Sequence, residues 1–207
     1  KKFGHDAIIS AFNDGKADIL IGTQMIVKGH DFPNVTLVGI LAADLSLNSG
    51  DYTSQERTYD LIVQAAGRAG RAEKKGDVII QTYKPEEYAI NTAAVGDYKK
   101  FYEFESNYRR LLHYPPFSHI LEMFVFSKDE KYLRDACDKL AKDVNKRLSG
   151  KGTCLGPVEA PIFKVSDTFR MYIYVKSTDI DFLRKLSLDY EKIYSKVKGL
   201  DVQFKLS

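Results

Sequence analysis

Gln64-Ala65-Ala66-Gly67-Arg68-Ala69-Gly70-Arg71 closes a run with helical apolar spacing, made by Tyr59, Leu61, Ile62, Val63 and Ala66. On a helix over residues 54–71, Gln64, Arg68 and Arg71 fall at i, i+4 and i+7 and share one stripe. Gly67 and Gly70 stand between them. Each costs roughly 1 kcal/mol against alanine in a helix interior, so something is gained by having almost no side chain there. Close approach of another backbone or of a ligand is the gain expected. Two guanidiniums and an amide on a glycine-thinned face suit a polyanion such as a nucleotide phosphate, because arginine offers a rigid fork of donors that keeps its proton. The plainer alternative is a helix end whose arginines complement the C-terminal dipole and meet solvent.

Around this stretch, short apolar runs alternate with helical ones. Residues 5–14 read as a short amphipathic helix, followed by a strand at Asp18–Gly22 and a second at Val35–Leu41. After the helix of residues 54–71, Lys74-Lys75-Gly76 leads into a third strand, Asp77–Tyr83, and residues 86–96 read as a closing helix. This is an α/β pattern, a parallel sheet with right-handed crossovers and flanking helices. Three strands are few for such a sheet, so the pattern predicts that further strands precede residue 1 in a longer protein. Between the first two strands lies Gly22-Thr-Gln-Met-Ile-Val-Lys-Gly-His-Asp-Phe-Pro-Asn34, in the place where open α/β sheets bind ligands. It offers a hydroxyl (Thr23), an amide (Gln24), a cation (Lys28), a flexible glycine (Gly29) and a carboxylate (Asp31). A carboxylate suits ribose hydroxyls, and a threonine with backbone N–H groups suits phosphate oxygens. Equally, Thr23 can start a short helix and Asp31 can fix the turn before Pro33.

The whole chain bounds these readings. At 207 residues, 44% hydrophobic and 29% charged, it is long enough for one large or two small domains and is not disordered by composition. No apolar run approaches a membrane span, and Lys1-Lys2-Phe3-Gly4-His5-Asp6 lacks the apolar core of a signal peptide, so a cytoplasmic protein is expected. Cys137 and Cys154, the only cysteines, have no CxxC spacing, and the histidines at 5, 30, 113 and 119 lack metal-ligand spacing. Neither a disulfide framework nor a zinc site is indicated.

Residues 97–112 read as a connecting helix with Tyr98, Phe101, Tyr102, Tyr108 and Leu112 on a broad face among Lys99, Lys100, Arg109 and Arg110. Such aromatics can stack bases, but domain packing accounts for them more simply. His113-Tyr-Pro-Pro-Phe117 stops the helix and marks a domain boundary. Beyond it come a strand (119–126), a helix (128–148) with Leu133, Cys137, Leu140, Val144 and Leu148 on one stripe, strands near 153–161 and 169–176, a helix (180–197) and a strand (201–206). That βαββαβ order predicts a small two-layer α+β domain, four antiparallel strands with both helices on one face. Residues 113–207 carry 17 Lys and Arg against 13 Asp and Glu, a mild excess compatible with a nucleic-acid surface. Lys164, Arg170 and Lys176 are the candidate contacts. Edge charges that discourage aggregation explain them as well.

Gly22-Thr-Gln-Met-Ile-Val-Lys-Gly-His-Asp-Phe-Pro-Asn-Val35 followed by Gln64-Ala-Ala-Gly-Arg-Ala-Gly-Arg71 resembles the last two motifs of the second RecA-like lobe of superfamily-two helicases. Asp51-Tyr-Thr-Ser-Gln-Glu-Arg57, Gly76-Asp-Val-Ile-Ile-Gln-Thr-Tyr-Lys-Pro85, the His-Tyr-Pro-Pro-Phe turn and Leu155-Gly-Pro-Val-Glu-Ala-Pro161 carry the resemblance further, to the PriA family (primosomal protein N′), the replication-restart DNA helicases. The resemblance implies three segments: the C-terminal part of a RecA-like lobe (1–96), a connecting helix and turn (97–117) and a C-terminal α+β domain (118–207). It also implies roles. Thr23, with Gln24 and Lys28 beside it, would contact the DNA backbone, and Arg170 would contact DNA from the C-terminal domain. Gly29 and Asp31 would lie at the nucleotide, Gln64 would sense the γ-phosphate, and Arg68 and Arg71 would act as arginine fingers.

The implied cofactors are ATP and Mg²⁺, held mainly by a first lobe, because this sequence has no G-x-x-x-x-G-K-[ST] loop and no acidic box. The family's zinc would sit in another part of the parent and no metal in this chain, which alone should not hydrolyse ATP. The implied partners are forked and single-stranded DNA, single-stranded DNA-binding protein and other primosome proteins, and no membrane. Two other readings remain open: another superfamily-two translocase such as a RecG-like fork remodeller, or a non-catalytic DNA-binding or partner-docking module that kept the motor fold.

Overall fold

The computed structural model describes residues 2–27, 32–70 and 76–207. The chain divides into two compact units, Lys1–Glu105 and Ser106–Ser207. In the first, α1 (Lys2–Asn13) and α2 (Gln24–Val27) precede β1 (Leu37–Ile40), and a 3-10 helix (Ala43–Ser49) leads to α3 (Ser54–Ala66). Then follow β2 (Asp77–Ile80), α4 (Tyr88–Val95) and α5 (Tyr98–Leu111), the last crossing the division between the units. β1 and β2 pair in parallel, from Leu37 opposite Asp77 to Ile40 opposite Ile80. Parallel neighbours need a long crossover, and α3 lies within it, packed on β1, the 3-10 helix and α4.

Two of the expected strands in this unit form and one does not. Residues 18–22 pair with no strand among the described residues, and Ile19 and Ile21 stand 77% and 87% exposed. An apolar run becomes a strand only where a neighbour completes its backbone hydrogen bonds, and none is present here. The helix expected over 54–71 is also shorter. It stops at Ala66, where Gly67 N–H still reaches Val63 O (2.9 Å) but Arg68 N–H turns to Ala65 O (3.0 Å) and Ala69 N–H to Ala66 O (3.1 Å).

The core of this unit is Ala43, Tyr59, Ile62, Ala89, Ile90, Ala93 and Phe101. Phe101 stacks on Tyr59 with centroids 4.2 Å apart, and the Tyr88 hydroxyl donates to the buried Glu105 carboxylate. Of the aromatics on α5, Phe101 is thus a packing residue, whereas Tyr98, Tyr102 and Tyr108 stay about half exposed.

The second unit has the expected βαββαβ order: β3 (His119–Ser127), α6 (Glu130–Leu148), β4 (Thr153–Val165), β5 (Thr168–Ser177), α7 (Ile180–Tyr194) and β6 (Asp201–Leu206). Its strands lie in the order β4-β5-β3-β6, every pair antiparallel. Alternate residues of the two central strands, Leu121, Met123 and Val125 with Met171, Ile173 and Val175, are buried against one face. That face meets Leu133, Cys137, Leu140, Val144 and Leu148 of α6 and Leu183, Leu186 and Tyr190 of α7, so both helices cover the same side. Burial pushes the Cys137 thiol up to about 12, which makes it an inert core residue.

Each strand-to-helix junction is built the same way. Asp129 and Asp179 accept from the N–H of Tyr132 and Phe182 at 2.9 Å, satisfying a free donor of the first helical turn. Ser127 and Ser177 accept from the N–H of those aspartates and donate at 2.6 Å to Gly199 O and Lys151 O.

Candidate functional site

The glycine-arginine turn is fixed by its backbone. Gly70 adopts φ +69°, which a side chain would strain, and its N–H donates to Val35 O at 3.1 Å. Asp77 N–H donates to Thr36 O at 2.8 Å, so residues 67–70 lie at the amino-terminal ends of β1 and β2. Gly76 supplies the close approach that the glycines imply, because a Cβ there would stand 2.2 Å from Gly70 N. Gly67 does not, since its φ is −65° and an added Cβ would meet only its own helix at 3.4 Å.

Gln64 is exposed on the last turn of α3, and Arg68 is half-buried in the turn beyond it. The i, i+4 stripe expected for this pair therefore does not form as one helix face, because the two residues lie on either side of the helix end. Arg71 lies outside the described residues.

The last residues of the upstream loop, 32–34, lead directly into Val35 at the same end of the sheet, and α2 packs on α3. Thr23 is exposed and starts α2. Its carbonyl accepts from Ile26 N–H at 3.0 Å and its hydroxyl from Met25 N–H at 3.5 Å. Gln24 is the exposed first residue of that helix. Lys28, Gly29 and Asp31 lie outside the described residues. Without a strand at 18–22, this loop does not follow the carboxyl end of a strand, and its last residues, 32–34, lead into the amino end of β1.

Chemically, an exposed amide and a guanidinium beside a glycine turn are donors that fit the oxygens of a phosphate. Among the described residues no three His, Cys, Asp or Glu side chains are gathered as a metal site. The carboxyl ends of β1 and β2 carry one feature that spacing did not mark. Asp44, buried, accepts from the Thr82 hydroxyl at 2.6 Å and from Tyr83 N–H at 3.0 Å, and these bonds hold its carboxyl below the usual range. It anchors the segment after β2.

In the second unit, Arg170 directs Nε and Nη2 to Ile162 O at 3.1 and 2.6 Å, bracing the β4–β5 hairpin. Lys176 donates to Leu112 O at 2.9 Å with its ammonium 3.4 Å from the Tyr114 ring centroid, and burial lowers its pKa. Lys164 lies 4.7 Å from the Phe169 ring centroid. All three basic candidates therefore have structural partners within this unit. Sequence reasoning passed over the rings between them, Phe124, Phe126, Tyr172 and Tyr174, although aromatics at every second position of paired strands are a legible signal.

The class of protein follows from both units. Residues 1–73 match the family described as helicase conserved C-terminal domain, which makes the parallel-stranded unit part of a RecA-like helicase lobe. Residues 110–202 match primosomal protein N C-terminal domain. Over 195 residues the chain is 41% identical to the replication restart protein PriA of Bacillus subtilis (strain 168), covering 93% of this chain and 24% of that protein. The same-named proteins of Synechocystis sp. and Chlamydia muridarum are 36% and 35% identical, over 85% and 94% of this chain and 21% and 26% of their own lengths. The chain belongs to the PriA family of replication restart proteins, and it spans about a quarter of the length of the curated relatives it matches. A designed protein, Foldit4, overlays 44% of the chain and 96% of its own length at 12% identity and a TM-score of 0.36, too low to bear on the argument. Among the described residues no helix is long and apolar enough to cross a membrane.

Proposed function

We propose that this chain is the C-terminal portion of an ATP-dependent DNA helicase that acts in replication restart at stalled forks. In this reading Gln64, Arg68 and Arg71 approach the phosphates of ATP held, with Mg²⁺, by a preceding lobe of the whole protein, Asp31 and Gly29 lie at the nucleotide, and Thr23, Gln24 and Lys28 grip the DNA backbone. ATP would supply the driving hydrolysis. The residues of this chain would steady the charge that develops on the transferred phosphoryl group and pass the state of the cleft to the DNA. The second unit would add contacts to forked DNA, with single-stranded DNA-binding protein and other primosome proteins as partners of the whole assembly. The chain by itself, without a phosphate-binding loop in its sequence, would not hydrolyse ATP.

The observation that carries this reading is the Gly70 N–H bond to Val35 O, which ties the turn after Arg68 to the end of the loop that begins at Thr23. A change in grip at either stretch then moves the other through one hydrogen bond. The test is DNA-stimulated ATPase activity of the full-length parent on forked DNA, with DNA binding measured alongside. Arg71→Ala and Arg68→Ala are each expected to reduce hydrolysis by about 10³-fold or more while binding persists. Wild-type hydrolysis that DNA does not stimulate, or variants equal to wild type, would leave a docking module in place of a motor.

A further inference from the structure

The face of the C-terminal sheet opposite its two helices has an unusual surface. Phe124, Phe126, Tyr172 and Tyr174 alternate with the buried residues of β3 and β5 and stand half-buried on the helix-free side. Phe124 and Tyr172 face each other in register on the two central strands, ring centroids 4.7 Å apart and 24° from parallel. Tyr172 stacks in turn on Tyr174 at 5.5 Å, and Phe124 neighbours Phe126 at 5.4 Å. Around this layer the register places Arg170 opposite Phe126, Gln203 opposite Phe124 and Lys205 opposite Glu122. Leu155 and Val158 of β4, 43% and 47% exposed, flank Tyr174 and Tyr172. The Lys176–Tyr114 contact closes one corner, leaving a strip from Glu122 to Phe126 that is about 14 Å long at the usual rise of a strand.

A sheet face meant only for water carries polar and charged side chains, and a face meant for a protein core carries aliphatic ones. Contiguous rings bordered by a guanidinium, an amide and an ammonium fit neither. They fit flat heterocycles joined by phosphates. The charge balance points the same way: residues 106–207 hold 19 Lys and Arg against 13 Asp and Glu, net +6, whereas residues 1–105 hold 12 against 15, net −3. We propose that this face, centred on Phe124 and Tyr172, stacks unpaired bases of single-stranded DNA, with Arg170 and Lys205 beside the phosphates. The choice of DNA rests on the helicase reading above; the stacking rests on the rings. Glu122 and Asp201 share the face, so stacking contributes more to binding than charge does.

The test uses the 207-residue chain, which has no tryptophan and 13 tyrosines, so that tyrosine fluorescence reports stacking directly. It is titrated with a dT 12-mer and with an abasic 12-mer of equal phosphate charge. The dT strand is expected to bind about fivefold tighter or more, the low end of what one stacked base contributes, and to quench fluorescence. Tyr172→Ala abolishes that difference with an unchanged circular dichroism spectrum, and Tyr172→Phe retains it. Phe124→Leu, which keeps apolar bulk and removes the ring, weakens dT binding alone and covers the case in which Tyr172→Ala unfolds. Equal affinity for both strands, or a base preference that survives both Tyr172→Ala and Phe124→Leu, overturns the proposal and leaves the face to a protein partner. Neither result touches the ATPase test of the motor, so the two readings fail separately.

Discussion

Asp44 sits buried where β1 and β2 end, and its donors, Thr82 and Tyr83, come from the far side of the crossover. Because those bonds lower its pKa beneath the unfolded value near about 3.9, its contribution to stability is fully present above that value and is lost as pH falls through the lower folded value. Wild type is therefore expected to be more stable than Asp44→Asn at pH 7, and the gap should close on acidification below about pH 4, as followed by circular dichroism. A gap unchanged by pH would mean the carboxylate charge is irrelevant. Gly76 makes a steric prediction at the same scale. Ala at 76 would place Cβ 2.2 Å from Gly70 N, so Gly76→Ala must displace backbone and is expected to cost more than the roughly 1 kcal/mol of a conformational change alone. Denaturant melts of the first unit would measure it. The close approach expected at Gly67 and Gly70 falls instead between Gly76 and Gly70, which spacing along one helix does not mark. Asp44 was not legible, because its partners stand 38 and 39 residues away with no spacing rule to connect them.

Elements were readable where periodicity and burial coincide. The alternation in β3 and β5 and the stripe on α6 each face one continuous core, so the whole βαββαβ order could be read without knowing a contact. The apolar run at 18–22 has the pattern of a strand but no neighbour to pair it among the described residues, and the helical spacing of α3 continues past the residues that hold helical bonds. The Ser-x-Asp junctions make a sharper statement: Ser127, Asp129, Leu133 and Arg134 recur at Ser177, Asp179, Leu183 and Arg184, fifty residues on. Since each aspartate caps its helix, Asp129→Ala and Asp179→Ala are each expected to destabilise the second unit by about 1 kcal/mol, with additive effects at sites so well separated. Thermal melts of the two single variants and the double one would check this. A double variant no worse than either single one would mean that the junctions do not act independently.

At the scale of the molecule, the two units differ in how much they bury. Among the described residues the first rests on seven core residues and the second on sixteen, drawn from four elements or more in each case. Heating is thus expected to give more than one transition, with the first unit loosening before the second, and limited proteolysis should leave a fragment beginning after residue 105. A single sharp calorimetric peak would contradict this. In the second unit the start of β3 and the end of β6 lie side by side: Ile120 N–H donates to Ser207 O and Ser207 N–H to Ile120 O, both at 2.9 Å. In the motor proposed above, the parts would come under tension. A pull between residue 118 and residue 207 would load those two bonds together with the Ser118 hydroxyl bond to Ser177 O, and would peel β6 from β3 one rung at a time instead of shearing the ladder at once. In that proposed motor the β3–β6 edge would act as a mechanical fuse, opening while α6 and the β4–β5 hairpin stay folded.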